Sequence, residues 1–204
     1  MGPDYRLKQR GGHLVSVSWV TSEQTRASFR NPALIGAAVP GWRKAVVLAD
    51  TDGVAAGLVA DAIAWRWDDV ADVCDAWVAE QITGYAEEVQ KLCNSLQRGD
   101  MYTSLIERDV VAMRLAFVMS VQRRILYGTE NVLWELVAAE MGAEWRSNQE
   151  AALALGAETT KESCATAIRL YRAAAAEAAG LFDERQQAVL DGALAAAGGV
   201  DSLK

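Results

Sequence analysis

The 204 residues hold one histidine, three prolines and three cysteines. Each scarcity excludes something. His13 is the sole histidine, so a histidine-centred triad forms only if a distant nucleophile reaches it; its place in a Gly-rich turn predicts a surface residue. Cys74, Cys93 and Cys164 are odd in number, widely spaced and without a CxxC. That argues against a zinc site or a disulfide framework and for buried, reduced thiols in a cytosolic protein. No run of some twenty uncharged apolar residues occurs. The nearest, AMRLAFVMSV, is short and carries Arg114. The start, MGPDYRLKQRGG, has no apolar signal-peptide region, so a cytoplasmic, non-membrane protein is expected. Positive charge is also short. A net charge of -7 and a pI near 4.8 argue against a general nucleic-acid binder, which needs a basic face to displace counterions. A P-loop, a GxGxxG after a strand and an HExxH are all missing.

What the chain does have is apolar bulk. Hydrophobic residues make up 51%, and seven are tryptophan. Such a chain buries a sizeable core and suits a globule with an apolar pocket. The first third reads as mixed. Leu14 to Val20, behind Gly11-Gly12, is a β-branched strand. Thr21 or Ser22 caps a short helix, SEQTRASF. NPALIGAAVPGW is predicted to be a loop because of Pro32, Gly36, Pro40 and Gly41. AVVLA, 45–49, is predicted to be a buried strand ending in a turn.

From Asp68 onward the pattern is helical. One long helix keeps Val70, Val73, Trp77, Ile82, Tyr85, Val89, Leu92 and Leu96 near one face and closes at Arg98-Gly99-Asp100. Leu105 to Leu126 is apolar nearly all round and predicts a central helix. Tyr127-Gly128 ends it, and Thr129 caps a helix to about Met141. Thr159 with Glu162 caps another, ending at Gly180. A last helix runs from about Phe182 to Ala197 and stops at Gly198-Gly199. The expected fold is mainly α. A small α/β remnant, residues 1–67, with two strands precedes a bundle of about five helices, residues 68–204.

Within the long helix Glu80, Gly84, Glu87 and Lys91 fall on one stripe. Gly84 costs a helix roughly 1 kcal/mol relative to alanine and bares backbone between two carboxylates, where a ligand could approach. Glu87 is placed as a general base with Lys91 as its charge partner; an exposed ion pair is the plainer account of the same spacing. DDVAD, residues 68–72, fits a pattern that shares a hard cation, yet no second motif follows, and acids at a helix start also suit the dipole. No metal site is expected. Arg114, inside an apolar helix, needs a partner, either a structural carboxylate or a substrate. Arg123 and Arg124 suit a helix C-terminus or a phosphate.

The ordered set GGHLVSVSWVTSE, AVVLADTDG, EEVQKLCNSLQRGD and RRILYGTENVLWELV resembles the antibiotic nucleotidyltransferases of the kanamycin type. The resemblance spans residues 11 to about 140. It implies that Glu87 and Lys91 occupy the positions of the family's glutamate base and lysine. It implies that Leu14 to Val20 belongs to the catalytic sheet, at the strand bearing the third carboxylate. Ser16 stands there instead, a poor ligand for a metal. The family's Gly-Ser turn and paired carboxylates, which hold two metals, match nothing in the chain, so the strand is expected to lack its sheet partner. What remains is the acceptor side: Glu80, Gly84, Glu87 and Lys91, with Trp19, Tyr85 and Arg114 lining it.

Three functions follow as expectations. The first is a cofactor-free binding protein that holds a small molecule in the acceptor pocket. The second is a repurposed, metal-independent enzyme of secondary metabolism, a cyclase or isomerase using Glu87. The third is a true antibiotic nucleotidyltransferase, truncated or completed by another chain, needing ATP and magnesium. The apolar surface left by the absent front predicts a homodimer using the 14–20 strand as an edge.

Overall fold

The structure, a computed structural model, describes residues 4–156 and 159–198. The chain is mainly α with one two-stranded antiparallel sheet. β1 (Asp4–Arg10) and β2 (His13–Trp19) form a hairpin. The predicted strand is therefore present, but its partner is the stretch just before it, not a part outside the chain. Gly11 and Gly12 both take positive φ, 54° and 82°, the backbone that a two-residue hairpin turn requires.

α1 (Ser22–Ser28) starts as expected. Thr21 Oγ1 accepts from the Gln24 amide at 3.1 Å, and the Gln24 side chain accepts from the Thr21 amide at 2.8 Å. The predicted loop NPALIGAAVPGW is instead α2 (Pro32–Arg43). Asn31 caps it through the Ala33 amide, and Pro32 sits at the first position, where its missing N–H costs nothing. Pro40 lies inside the helix and cannot bond the carbonyl of Gly36. That carbonyl instead accepts from the amides of Tyr127 and Gly128, both at 2.9 Å. Gly36 also leaves no room for a β-carbon, because the Tyr127 ring occupies the space. The two loop signals thus mark a joint between α2 and the segment after the central helix.

The predicted strand 45–49 is not formed. Val46 is 82% and Leu48 94% exposed, in irregular chain. A strand exists only beside a ladder partner, and β1 and β2 pair with each other. Asp50 follows and accepts from the amides of Ala55 and Ala56, capping α3 (Val54–Ala64). Those amides hold the Asp50 carboxyl below its ordinary value. Trp65 donates to the Phe29 carbonyl at 2.7 Å, and Arg43 donates to the carbonyls of Ala62 and Trp65. These contacts tie α1, α2 and α3 together.

A 3-10 turn (Trp67–Val70) leads into α4 (Ala71–Gly84) and α5 (Ala86–Arg98). The long predicted helix is broken at Tyr85. The carbonyl of Ile82 accepts from the buried Tyr171 hydroxyl at 3.1 Å, an insertion of the kind that bends helices. Gly99, with φ 71°, closes α5, and Asp100 caps α6 (Met101–Gln122), the central helix. A 3-10 turn (Glu130–Val132), α7 (Leu133–Met141) and α8 (Ala143–Ala152) follow. Then come α9 (Thr160–Glu177) and α10 (Glu184–Gly198). Thr159 caps α9 through the Glu162 amide at 3.1 Å. Gly199, predicted to stop the last helix, lies outside the described residues.

One apolar core runs through these helices. Ile35 and Val39 of α2, Ile82 of α4, Leu92 of α5, Leu115 and Met119 of α6 and Leu170 of α9 belong to it. It is continuous across residue 67. All three cysteines are buried, and burial pushes the thiols of Cys74 and Cys164 up. No helix among the described residues is long and apolar enough to cross a membrane.

Candidate functional site

A cavity of about 310 Å³ opens between the start of α2, α4, the middle of α6 and the turn after α6. α4 contributes Trp77 and Gln81, with Tyr85 just beyond its end. These are spaced 4 and 4, so one helical stripe points inward. α6 adds Arg114, Phe117 and Val118 at the same kind of spacing. Tyr127 and Glu130 come from the following turn, and Pro32 and Ala33 from α2.

Three aromatic rings form a stack of edges. Phe117 meets Tyr127 with centroids 6.3 Å apart and Trp134 at 5.5 Å, both nearly perpendicular. Such contacts contribute about 0.5–1.5 kcal/mol each beyond burial. Tyr127 is fixed from behind by the Gly36 joint. The cavity wall is therefore set by tertiary contacts, not by a loop.

The polar groups of the cavity are notable for what they leave open. Arg114 makes no hydrogen bond or ion pair among the described residues. The sequence placed it as a buried cation that needs a partner; it is exposed, at the rim, because it lies on the outward edge of α6. Glu130 is exposed on the other side. Burial pushes the Tyr85 and Tyr127 phenols up, so both remain hydrogen-bond donors; the Arg114 charge acts against the shift at Tyr85.

The turn after α6 is also held with care. Arg124 takes φ 56°, a left-handed backbone that favours glycine. The Arg124 amide bonds the Val121 carbonyl and the Ile125 amide bonds that of Ser120, the pairing of a Schellman close. The arginine side chain holds this conformation. It pairs with Asp75 of α4 and lies 5.6 Å from the Trp67 ring centroid. Arg123 pairs with Glu177 at 2.8 Å. Both arginines therefore tie helices together, Arg124 half-buried and Arg123 at the exposed surface.

Of the residues expected at the site, the structure brings Tyr85 and Arg114 to this cavity. The others stand elsewhere. Trp19 is on the hairpin, with the Arg6 guanidinium 5.4 Å from its ring centroid. Glu80 and Gly84 are exposed, and nothing lies within 4 Å of where a Gly84 β-carbon would be. Glu87 and Lys91 form an ion pair at 2.7 Å, with side chains 71% and 45% exposed. The hydrogen bond from Lys91 holds Glu87 below its ordinary value, which makes it a weaker proton acceptor. Asp68, Asp69 and Asp72 are exposed, and no group of His, Cys, Asp and Glu among the described residues is placed to hold a metal. Trp77, Gln81, Phe117 and Tyr127 were not placed at a site from the sequence. The inward stripe Trp77, Gln81, Tyr85 was visible there as a second spacing beside the polar one.

Fold and cavity together define a helical protein with an aromatic cleft that also carries Gln81, Arg114 and Glu130. No protein-family model, curated protein or solved structure matches the chain.

Proposed function

We propose that the chain is cytoplasmic and nucleotidyltransferase-like, with no metal-binding motif among its own residues, and that it binds a small planar molecule in the Trp77–Tyr127 cleft. One observation carries this reading. Aromatic side chains of Trp77, Tyr85, Phe117 and Tyr127 converge on one cavity with an unpaired guanidinium, Arg114, at its rim. Aromatic walls and a few convergent polar groups are the usual make-up of a small-ligand site. Rings recognise a flat apolar body, and Arg114 recognises a carboxylate, sulfonate or similar anionic group on it. Gln81 and the two phenols supply further hydrogen bonds.

Calorimetric titration tests this with two probes. One is 1-anilinonaphthalene-8-sulfonate, a flat aromatic with one anionic group. The other is ATP with magnesium. The dye is expected to bind at a single site and to bind there roughly tenfold or more weakly in Arg114→Ala. ATP is expected to give no heat. Dye affinity unchanged in both Arg114→Ala and Trp77→Ala would place the ligand elsewhere and overturn the proposal. Heat from ATP with magnesium would return nucleotide transfer to first place.

A further inference from the structure

The hairpin and the body of the molecule differ in the sign of their charge. The chain as a whole is strongly acidic, yet β1 carries Arg6, Lys8 and Arg10 at every second position. Period 2 puts all three on one face of the hairpin. The register brings Val17 opposite Arg6, Val15 opposite Lys8 and His13 opposite Arg10, and it ends on that face with Trp19. The result is a cationic row beside an apolar row. Along residues 5–20 only Val17 is half-buried; the rest are exposed. A two-stranded hairpin with both faces in water is marginal by itself.

The complementary surface lies on α4. Asp72, Val73, Ala76 and Glu80 are all exposed and fall on one stripe of the helix. Neither Asp72 nor Glu80 makes an ion pair among the described residues. The dimensions agree. Arg6 to Arg10 spans roughly 13 Å along a strand. Asp72 to Glu80 spans roughly 12 Å along a helix. Between the acids lie Val73 and Ala76, which would meet the apolar row of Val15 and Val17 that runs beside the bases.

We propose that the hairpin of one chain docks this cationic, apolar face on the α4 stripe of a second copy, and that the second copy returns the contact, giving a two-fold dimer. Charge favours this occupant. A polyanion such as nucleic acid would meet the acidic body as well as the hairpin and be repelled by it. A second copy presents acid to base twice, in one closed arrangement. The contact is electrostatic at its edges, so it weakens as salt is raised.

Light scattering across a concentration series, with charge-swapped variants, tests it. Every position exchanged is exposed, and circular dichroism checks that each variant stays folded. The unaltered chain is expected to dimerise. Lys8→Glu with Arg10→Glu, or Asp72→Lys with Glu80→Lys, is expected to weaken self-association by about tenfold or more. Mixing the two double variants pairs acid with base at both contacts, so the mixture is expected to recover the dimer. An unaltered chain that is monomeric at every concentration overturns the proposal. So do double variants that dimerise like the unaltered chain, or a mixture that recovers nothing. A monomer that co-sediments with phosphatidylglycerol vesicles through Lys8 and Arg10 also overturns it, in favour of an anionic lipid surface.

Discussion

The rod formed by α4 and α5 has two faces, and they teach different lessons. One carries Glu80, Gly84, Glu87 and Lys91; the other carries Trp77, Gln81 and Tyr85. The first is rich in chemistry and faces water. Its carboxylates are exposed, and its one close pair satisfies itself. The second is poor in titratable groups, yet it meets Arg114, Phe117 and Tyr127 from other elements. Residue type alone favours the first face as a site. Convergence of side chains from separate elements favours the second.

The largest effect is expected where the second face is built. Gly36→Ala forces the Tyr127 ring out of its seat. Thermal or denaturant unfolding should show a loss of about 1–3 kcal/mol, and dye binding in the cleft should fall with it. If stability and binding are both unchanged, the joint does not shape the cavity. Next comes Arg114→Ala. Arg114 is exposed and unpaired among the described residues, so the melting temperature should hold while dye affinity drops by roughly tenfold or more, the loss of one charge-assisted contact.

Smaller effects are expected on the solvent face. Gly84→Ala meets open space and should stabilise the chain by about 0.5–1 kcal/mol with no change in dye affinity. A drop in dye affinity would mean that a ligand does approach that bare backbone. The subtlest contrast is in pH. The Lys91 hydrogen bond holds Glu87 below its ordinary 4.5. Its contribution to stability is whole above pH 4.5 and is lost as pH falls through the folded value. Burial holds the Tyr85 phenol above its ordinary 10.0. That contribution is whole below pH 10 and is lost as pH rises through the folded value. Glu87→Gln should therefore flatten the acid limb of a stability profile, and it also removes the partner that raises Lys91 on the alkaline side. Lys91 is itself held above its ordinary value by Glu87. Tyr85→Phe is accordingly compared in a Lys91→Met background, where it should flatten the alkaline limb.

Local signals were legible wherever one segment settles its own structure. Thr21, Thr159 and the Arg98-Gly99-Asp100 close mark helix ends because each cap bonds its own helix. The mainly α fold and the central helix followed from spacing. Three features were not legible, the first two because a remote residue decides them. Gly36 and Pro40 read as breakers because their compensation comes from Tyr127 and Gly128, some ninety residues away. The rod reads as one helix because the hydroxyl that interrupts it belongs to Tyr171. Asp4–Arg10 hid a strand because its alternate basic residues face water, with no buried face to give an apolar pattern. Of the site, Tyr85 and Arg114 were legible one by one. Their meeting was not, because it depends on how α4 and α6 pack.

Pro40 also gives the molecule a readable clock. A proline in mid-helix leaves one carbonyl unclaimed by its own helix, and here the amides of Tyr127 and Gly128 take it. Those two N–H groups have no helix of their own to protect them at that point. In deuterated solvent they exchange only when α2 lifts away from the end of α6. Their exchange rate therefore reports how often the N-terminal helices part from the bundle, separately from how often the bundle itself unfolds.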